Sequence, residues 1–423
     1  MNTRLRLLGT VLAVTILFVP VMSSSVAAQD NVTIEFMQWW QPEMEEGVFE
    51  ALIEDYEESH PNVNVKLLSM PFDEVRSQLL VQAKARNLPD VFGVHPPYLA
   101  TYLENDMLVP IEDYVENSDF NVDNVRAAGY EEVNGKHWTL PVTTFIYPLF
   151  YNKSLMEEAG FTSPPETLLE FKTYAKAINE LGPNKYGVGF GFSTSAPADA
   201  FSTDVMDWVY ARNGHIFKDG ELNLTSQPFL DTLIFLQKLN EMGVVSPGSL
   251  AKQHSKAMEE FAAGRLGFLL SSTAHIQIVK NRNPDLDFNV AKVPVPMDYS
   301  GQGGTRVARW DVGVSRDAED KEEAAEFAMW LATKGPNTKV AMASNSFPSN
   351  AAAKPDLSGK PIAEKAFEIK QTVRLEEDFI GKSKVTDMQR AFLRKLPQLW
   401  NGKIAPEELA SSVQDEWKEI LSE

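Results

Sequence analysis

Between Gly135 and Thr167 the chain reads GKHWTLPVTTFIYPLFYNKSLMEEAGFTSPPET, and this stretch restricts its fold more than any other. Pro141 has a fixed φ and no amide donor, which predicts that regular pairing in one sheet ends there. Phe145 to Tyr151 is aromatic and β-branched enough for a buried strand, so a second sheet is predicted to begin at once. Tyr151-Asn152-Lys153 then turns into a short helix with Leu155, Met156 and Ala159 on one face and Gly160 as its stop. A chain that leaves one sheet and enters another needs two cores. Its 423 residues agree, since a single core rarely serves a chain of that length.

The segment before this crossing alternates strand and helix. Val32 to Met37 has strand periodicity and delivers Gln38-Trp39-Trp40-Gln41 to a loop. Val48, Phe49, Leu52, Ile53 and Tyr56 follow at helical spacing. A strand with Val63, Val65 and Leu67, a helix with Val75, Leu79, Leu80 and Ala83, and a short strand Val91 to Val94 complete βαβαβ. That order implies a parallel sheet with right-handed crossovers. Ligands of such sheets bind beyond the carboxyl ends of the strands, so the loops Gln38 to Gln41 and His95 to Tyr98 are the first candidate contacts.

The succession GK-x4-P, YNK, a short helix ending in AG, and PPET resembles the first hinge of the extracellular solute-binding proteins of ABC transporters, the sugar-binding, maltose-binding-protein-like type. PDVFGVHPPYLATYLENDMLVPI resembles that family's third strand and following helix, and FAAGRLGFLLSSTAHIQIV resembles a later strand and turn, without the family's usual tryptophan. His275 is the substitute candidate at that turn, and Arg309-Trp310-Asp311 stands where the family has a ligand-contacting strand end. The resemblance implies an α/β fold of two doubly wound lobes joined by a multi-strand hinge, periplasmic binding protein-like of type II. Residues 1–28 would be a signal peptide, 29–141 with 300–345 one lobe, and 142–299 with 346–423 the other. A carbohydrate captured between the lobes would be delivered to the permease subunits of an ABC importer, by a monomer with no cofactor.

Residues 1–28 carry Arg4 and Arg6, an apolar run from Leu7 to Met22, and the small residues Ser23 to Ala28, which suit a signal-peptidase cut before Gln29. The absence of cysteine excludes disulfides, thiolate chemistry and the acceptor of a lipoprotein anchor, so a soluble periplasmic protein is expected. No later stretch is apolar for long enough to span a bilayer. The net charge of −20 argues against nucleic acid as a partner.

Catalytic and metal motifs fail on specific residues. Glu376 stands where a phosphate loop ending in Gly381-Lys382-Ser383 needs glycine, and Val290 replaces the glycine of a calcium loop starting at Asp285. The six histidines are scattered, so no metal site is expected. What recurs is an aromatic beside a hydrogen-bonding group at strand ends. Trp39, Trp40, Tyr98, Phe145, Tyr147 and Trp310 can pack on the apolar face of a sugar ring, and Gln38, Gln41, His95, Thr144, Arg309 and Asp311 can meet its hydroxyl rim. Two readings compete with a sugar-binding protein. One is a secreted enzyme acting on polysaccharide, and the other is a binding protein for an anionic solute such as a uronate or sugar phosphate, for which Arg306 and Arg309 would be the anchors.

Overall fold

The computed structural model describes residues 31–130 and 132–422; the expected signal peptide lies outside the described residues. Val32–Gln38 pairs in parallel with Val63–Ser69 on one side and with Val91–Val94 on the other. The long strand Gly304–Val314 returns from far along the chain and lies antiparallel to Val91–Val94 and to Leu140–Ile146. Phe347–Pro348 pairs with Leu140–Ile146 at the edge, and Arg374–Glu376 pairs with the first residues of the long strand, completing a seven-stranded sheet. A second, four-stranded sheet has the order Phe288–Ala291, Leu149–Asn152, Leu266–Leu270, Tyr186–Val188.

Each sheet has its own core, as the sequence implies for two folding units. Phe36, Phe49, Tyr56 and Phe327 pack edge-to-face beside the larger sheet. Phe171, Trp208, Phe392 and Trp417 belong to a separate cluster beside the smaller one. Side chains cap the two helices that follow the crossing. Asn152 Oδ1 accepts from Leu155 N at 3.0 Å, and Thr167 and Glu170 form a reciprocal capping box ahead of Leu168–Asn179.

The change of sheet predicted at Pro141 falls six residues later, at Tyr147-Pro148. Pro141 lies inside Leu140–Ile146, because the register shifts there: Trp310 faces Thr143 while Asp311 faces Pro141, leaving Val142 as the extra residue of a bulge. A bulge leaves a backbone position unpaired, so a residue without an N–H is tolerated. The Val142 carbonyl is not wasted either, since it accepts from Asn337 Nδ2. Residues 142–146, 347–348 and 374–376, expected with the smaller sheet, therefore pair in the larger one.

The strand Tyr186–Val188 is short, and an irregular segment leads from it into a helical run. That run comprises Pro197–Phe201, a π turn over Ser202–Met206, and Asp207–Ala211. Gly191 explains the tight entry: a Cβ there would lie 2.2 Å from His254 N, so only glycine lets the two segments meet.

Candidate functional site

Strand ends from both sheets converge on a small cavity of about 50 Å3. Trp39 comes from the loop after Val32–Gln38, His95 from the loop after Val91–Val94, and Phe145 and Tyr147 from the crossing. Arg306 and Trp310 come from Gly304–Val314, Glu43 from the turn after Trp40, and Phe72 from the start of the second helix. The far wall is Asp199, on the helix before the π turn, with Ser272 and His275 after Leu266–Leu270. Carboxyl ends of parallel strands supply Trp39, His95, Ser272 and His275, as the topology requires.

The aromatic wall is rigid because it is also core. Trp310 stacks on Trp40, with centroids 5.3 Å apart and planes 6° apart, and meets Phe145 edge-on at 5.7 Å. Trp39 meets Phe72 edge-on at 5.2 Å. Gly93 makes room for this arrangement, since a Cβ there would lie 2.9 Å from Trp39 Cζ3 and 3.3 Å from Trp40 Nε1.

Arg306 is the buried cation of the site, with 2% of its surface exposed. Its Nε donates to Glu377 Oε2 at 2.9 Å, and its guanidinium lies 4.5 Å from the centroid of the Tyr147 ring. Its Nη2 is 3.4 Å from His95 Nε2, while Nη1 has no protein partner. Burial opposes the charge, yet Tyr147, Glu377 and Asp207 hold it protonated above the ordinary guanidinium range. Burial, then the guanidinium charges of Arg306 and Arg309, keep His95 neutral, well below the usual imidazole range.

Carboxyls crowd the same region. Burial first, and Asp199 second, push Glu43 up to about 8. Burial also raises Asp199, against the pull of His254 and Arg306, and raises Asp207 to about 8 although Asp207 Oδ1 accepts from Arg306 N at 2.7 Å. His275 is held by a relay behind the wall. Its Nδ1 lies 2.8 Å from Ser271 Oγ, which is 3.3 Å from His254 Nε2, and His254 Nδ1 lies 3.4 Å from Asp204 Oδ1. Burial lowers His275 to about 3; it pulls His254 down as well, but Asp204 outweighs it and His254 is raised. Ser271 is fully buried, and its hydroxyl is shared between the two imidazoles.

Of the residues singled out from sequence, Trp39, His95, Phe145, Tyr147, His275 and Trp310 line the cavity together. The others do not. Trp40 is fully buried behind Trp310, and Tyr98 stacks behind Phe72 at 6.0 Å. Gln38 closes the strand end, donating to Ser69 Oγ at 2.6 Å and accepting from Gln41 N at 2.9 Å, and Gln41 is bonded to Glu50 and Ser69. Thr144 donates to the Phe347 carbonyl at 3.4 Å and faces a separate small cavity, which Arg309 also lines. Arg309 Nε donates to Asp311 Oδ1 at 2.7 Å, and Thr139 Oγ1 donates to Asp311 Oδ2 at 2.9 Å. The charged pair thus points away from the ligand cavity, and the indole of Trp310 points into it. Glu43, Phe72, Asp199 and Ser272 complete the site without having been singled out as contacts, and Arg306, named only as an anchor for an anionic solute, lines it too. Strand alternation does carry one signal, because Arg306 shares the parity of Trp310 on a strand whose only register shift lies beyond both.

Known proteins were compared with this arrangement in hand. The chain is 22% identical over 323 residues to the multiple sugar-binding protein of Streptococcus mutans, covering 73% of each chain. It is 24% identical over 298 residues to the maltotriose-binding protein of Pyrococcus abyssi, covering 68% of this chain and 59% of that one. A solute-binding protein of an ABC transporter from Thermotoga lettingae, solved with α-D-tagatose, superposes with a TM-score of 0.80 at 19% identity, over 93% of this chain and all of that one. Likeness of this kind carries the fold: two doubly wound α/β lobes joined by several crossing strands, as in periplasmic binding proteins. Among the described residues no helix is long and apolar enough to cross a membrane. The model of the bacterial extracellular solute-binding protein family matches residues 41–338, and the chain belongs to that family.

Proposed function

We propose that this protein is the periplasmic receptor of an ABC importer, that it captures a carbohydrate between its two lobes, and that it hands the ligand to the permease as a soluble monomer without turning it over. One observation carries the reading: the cavity between the sheets is walled by Trp39, Phe72, Phe145, Tyr147 and Trp310, with Arg306 and His275 among them. Flat rings suit the C–H face of a pyranose, and the polar groups suit its hydroxyls. The names of the Streptococcus and Pyrococcus relatives state sugar binding, which supports the same class. The larger sheet, together with residues 142–146, 347–348 and 374–376 that pair in it, would form one lobe, and the smaller sheet the other. Because residues from both sheets line the cavity, a ligand that touches both stabilises closure of the lobes, and release requires them to part.

A thermal-shift panel of mono- and oligosaccharides tests this. The correct sugar at a hundred times its Kd stabilises the fold by about 2.7 kcal/mol, with the sugar recovered unchanged. No shift from any sugar would overturn the ligand class, and a hydrolysed product would overturn the assignment as a receptor.

A further inference from the structure

We propose that the ligand of this cleft carries a protonated amine beside its hydroxyls, an amino sugar or amino polyol, and that Glu43 and Asp199 hold the amine from opposite lobes. The proposal rests on the sugar-binding reading above and specifies its chemistry. Glu43 follows the strand Val32–Gln38 of the larger sheet, and Asp199 lies on the helix Pro197–Phe201, in the segment between two strands of the smaller one. Both line the same cavity, and among the described residues neither carboxylate has a protein hydrogen bond or ion pair.

The neighbouring charges are already matched. Arg306 is paired with Glu377 at 2.9 Å, His254 with Asp204 at 3.4 Å, and Arg309 with Asp311 at 2.7 Å. Two carboxyl groups remain facing one space. Ionised together they would repel, so the free protein keeps a proton on Glu43, and a ligand that brings donors and a positive charge lets both ionise and gives each a partner. An ammonium has three donors, and the aromatic faces of Trp39 and Trp310 favour a cation further.

Arg306 provides the independent constraint. It is 98% buried, it lines the cavity, and its Nη1 has no partner. That donor needs an acceptor on the ligand, which a hydroxyl oxygen supplies and a bare alkylamine does not. An anionic sugar would satisfy Arg306 but would set its charge against Glu43 and Asp199 in the same small volume.

Isothermal titration of the mature protein with glucosamine, glucose, N-acetylglucosamine and glucuronate, and with the corresponding galactose series, decides the matter. The expected result is that a free-amine sugar binds at least tenfold more tightly than its neutral parent and its N-acetyl derivative. Glu43→Gln and Asp199→Asn should each bring that ratio toward unity, with circular dichroism and the thermal midpoint confirming a folded protein. Equal affinity for amine and parent sugar, or a ratio unmoved in both variants, would overturn the amine while leaving a sugar receptor in place. Binding of glucuronate alone would also overturn it. If no sugar of any kind binds, the carbohydrate reading falls along with it.

Discussion

Adjacent indoles in this site do different work. Trp39 forms the cavity wall, while Trp40 lies behind, stacked on Trp310 and fully buried. Trp310 does both, since it lines the cavity and is 99% buried. Replacing either stacked ring by alanine should therefore cost about 3–5 kcal/mol of stability, the range for a large aromatic removed from a core. The two losses overlap, because each variant forfeits the same stacked contact. Urea unfolding of Trp40→Ala, Trp310→Ala and the double variant should show a double loss smaller than the sum by about 0.5–1.5 kcal/mol. Strict additivity would mean that the stack contributes nothing beyond the area each ring buries.

This division of labour also explains how much of the site is legible in the sequence. Aromatics at strand ends stand out against their neighbours, and four of the six so chosen, Trp39, Phe145, Tyr147 and Trp310, meet in the cavity. Glu43 and Asp199 carry no such mark, as two among 59 acidic residues, and only the fold brings them to one space. Arg309 is misleading for a local reason. It sits next to Trp310, but alternation turns neighbours to opposite faces, so the arginine that accompanies the indole is Arg306.

At the scale of elements, the βαβαβ unit that opens the larger sheet follows from periodicity alone, and the boundary misplaced at Pro141 has a specific cause. Pro141 ends a strand only where its missing donor would have been needed; here it stands beside a bulge on its own strand, and the strand continues to Ile146. Gly93 shows the converse, an element that depends on one absent side chain. It lies in the strand Val91–Val94, paired with Val312, and the Trp39 indole covers it. Gly93→Ala would place a methyl 2.9 Å from Trp39 Cζ3, closer than carbon atoms approach, so the indole must move toward the cavity. The expected outcome is a loss of about 1–3 kcal/mol in stability, together with weaker ligand binding. Tryptophan fluorescence of the unliganded protein should shift as Trp39 changes surroundings. An unchanged spectrum and unchanged affinity would show that the wall has slack that the packing of Trp39 against Phe72 and Trp40 denies.

For the molecule as a whole, the crowded carboxyls of the unliganded cleft make stability depend on pH in a direction that can be derived. Burial raises Asp207 to about 8, and burial with Asp199 raises Glu43 to about 8, so the folded protein retains protons there that the unfolded chain has released. His254, raised by Asp204 against its burial, retains one as well. Where the folded state binds more protons than the unfolded one, stability falls as pH rises, by at most about 1.4 kcal/mol per pH unit for each such group. His95 and His275 act oppositely, because both are lowered by burial and refuse protons that the unfolded chain accepts below the ordinary imidazole range. Their effect is confined to the acid side and offsets that of the acids there. Above about pH 6.5 the raised groups outweigh Lys370, which burial lowers to about 8 and which opposes them only as that value is approached, so between pH 6.5 and 7.5 the free energy of unfolding should decline. Asp207→Asn removes the group whose oxygen Oδ2 is buried without a partner, while an amide oxygen can still accept from Arg306 N and Thr305 Oγ1, so the decline should become shallower in that variant. Denaturant titrations of both proteins across this window provide the measurement. Stability that rises with pH, or a slope identical in the two proteins, would mean that Asp207 is already ionised in the folded state and that Arg306 neutralises it together with Glu377.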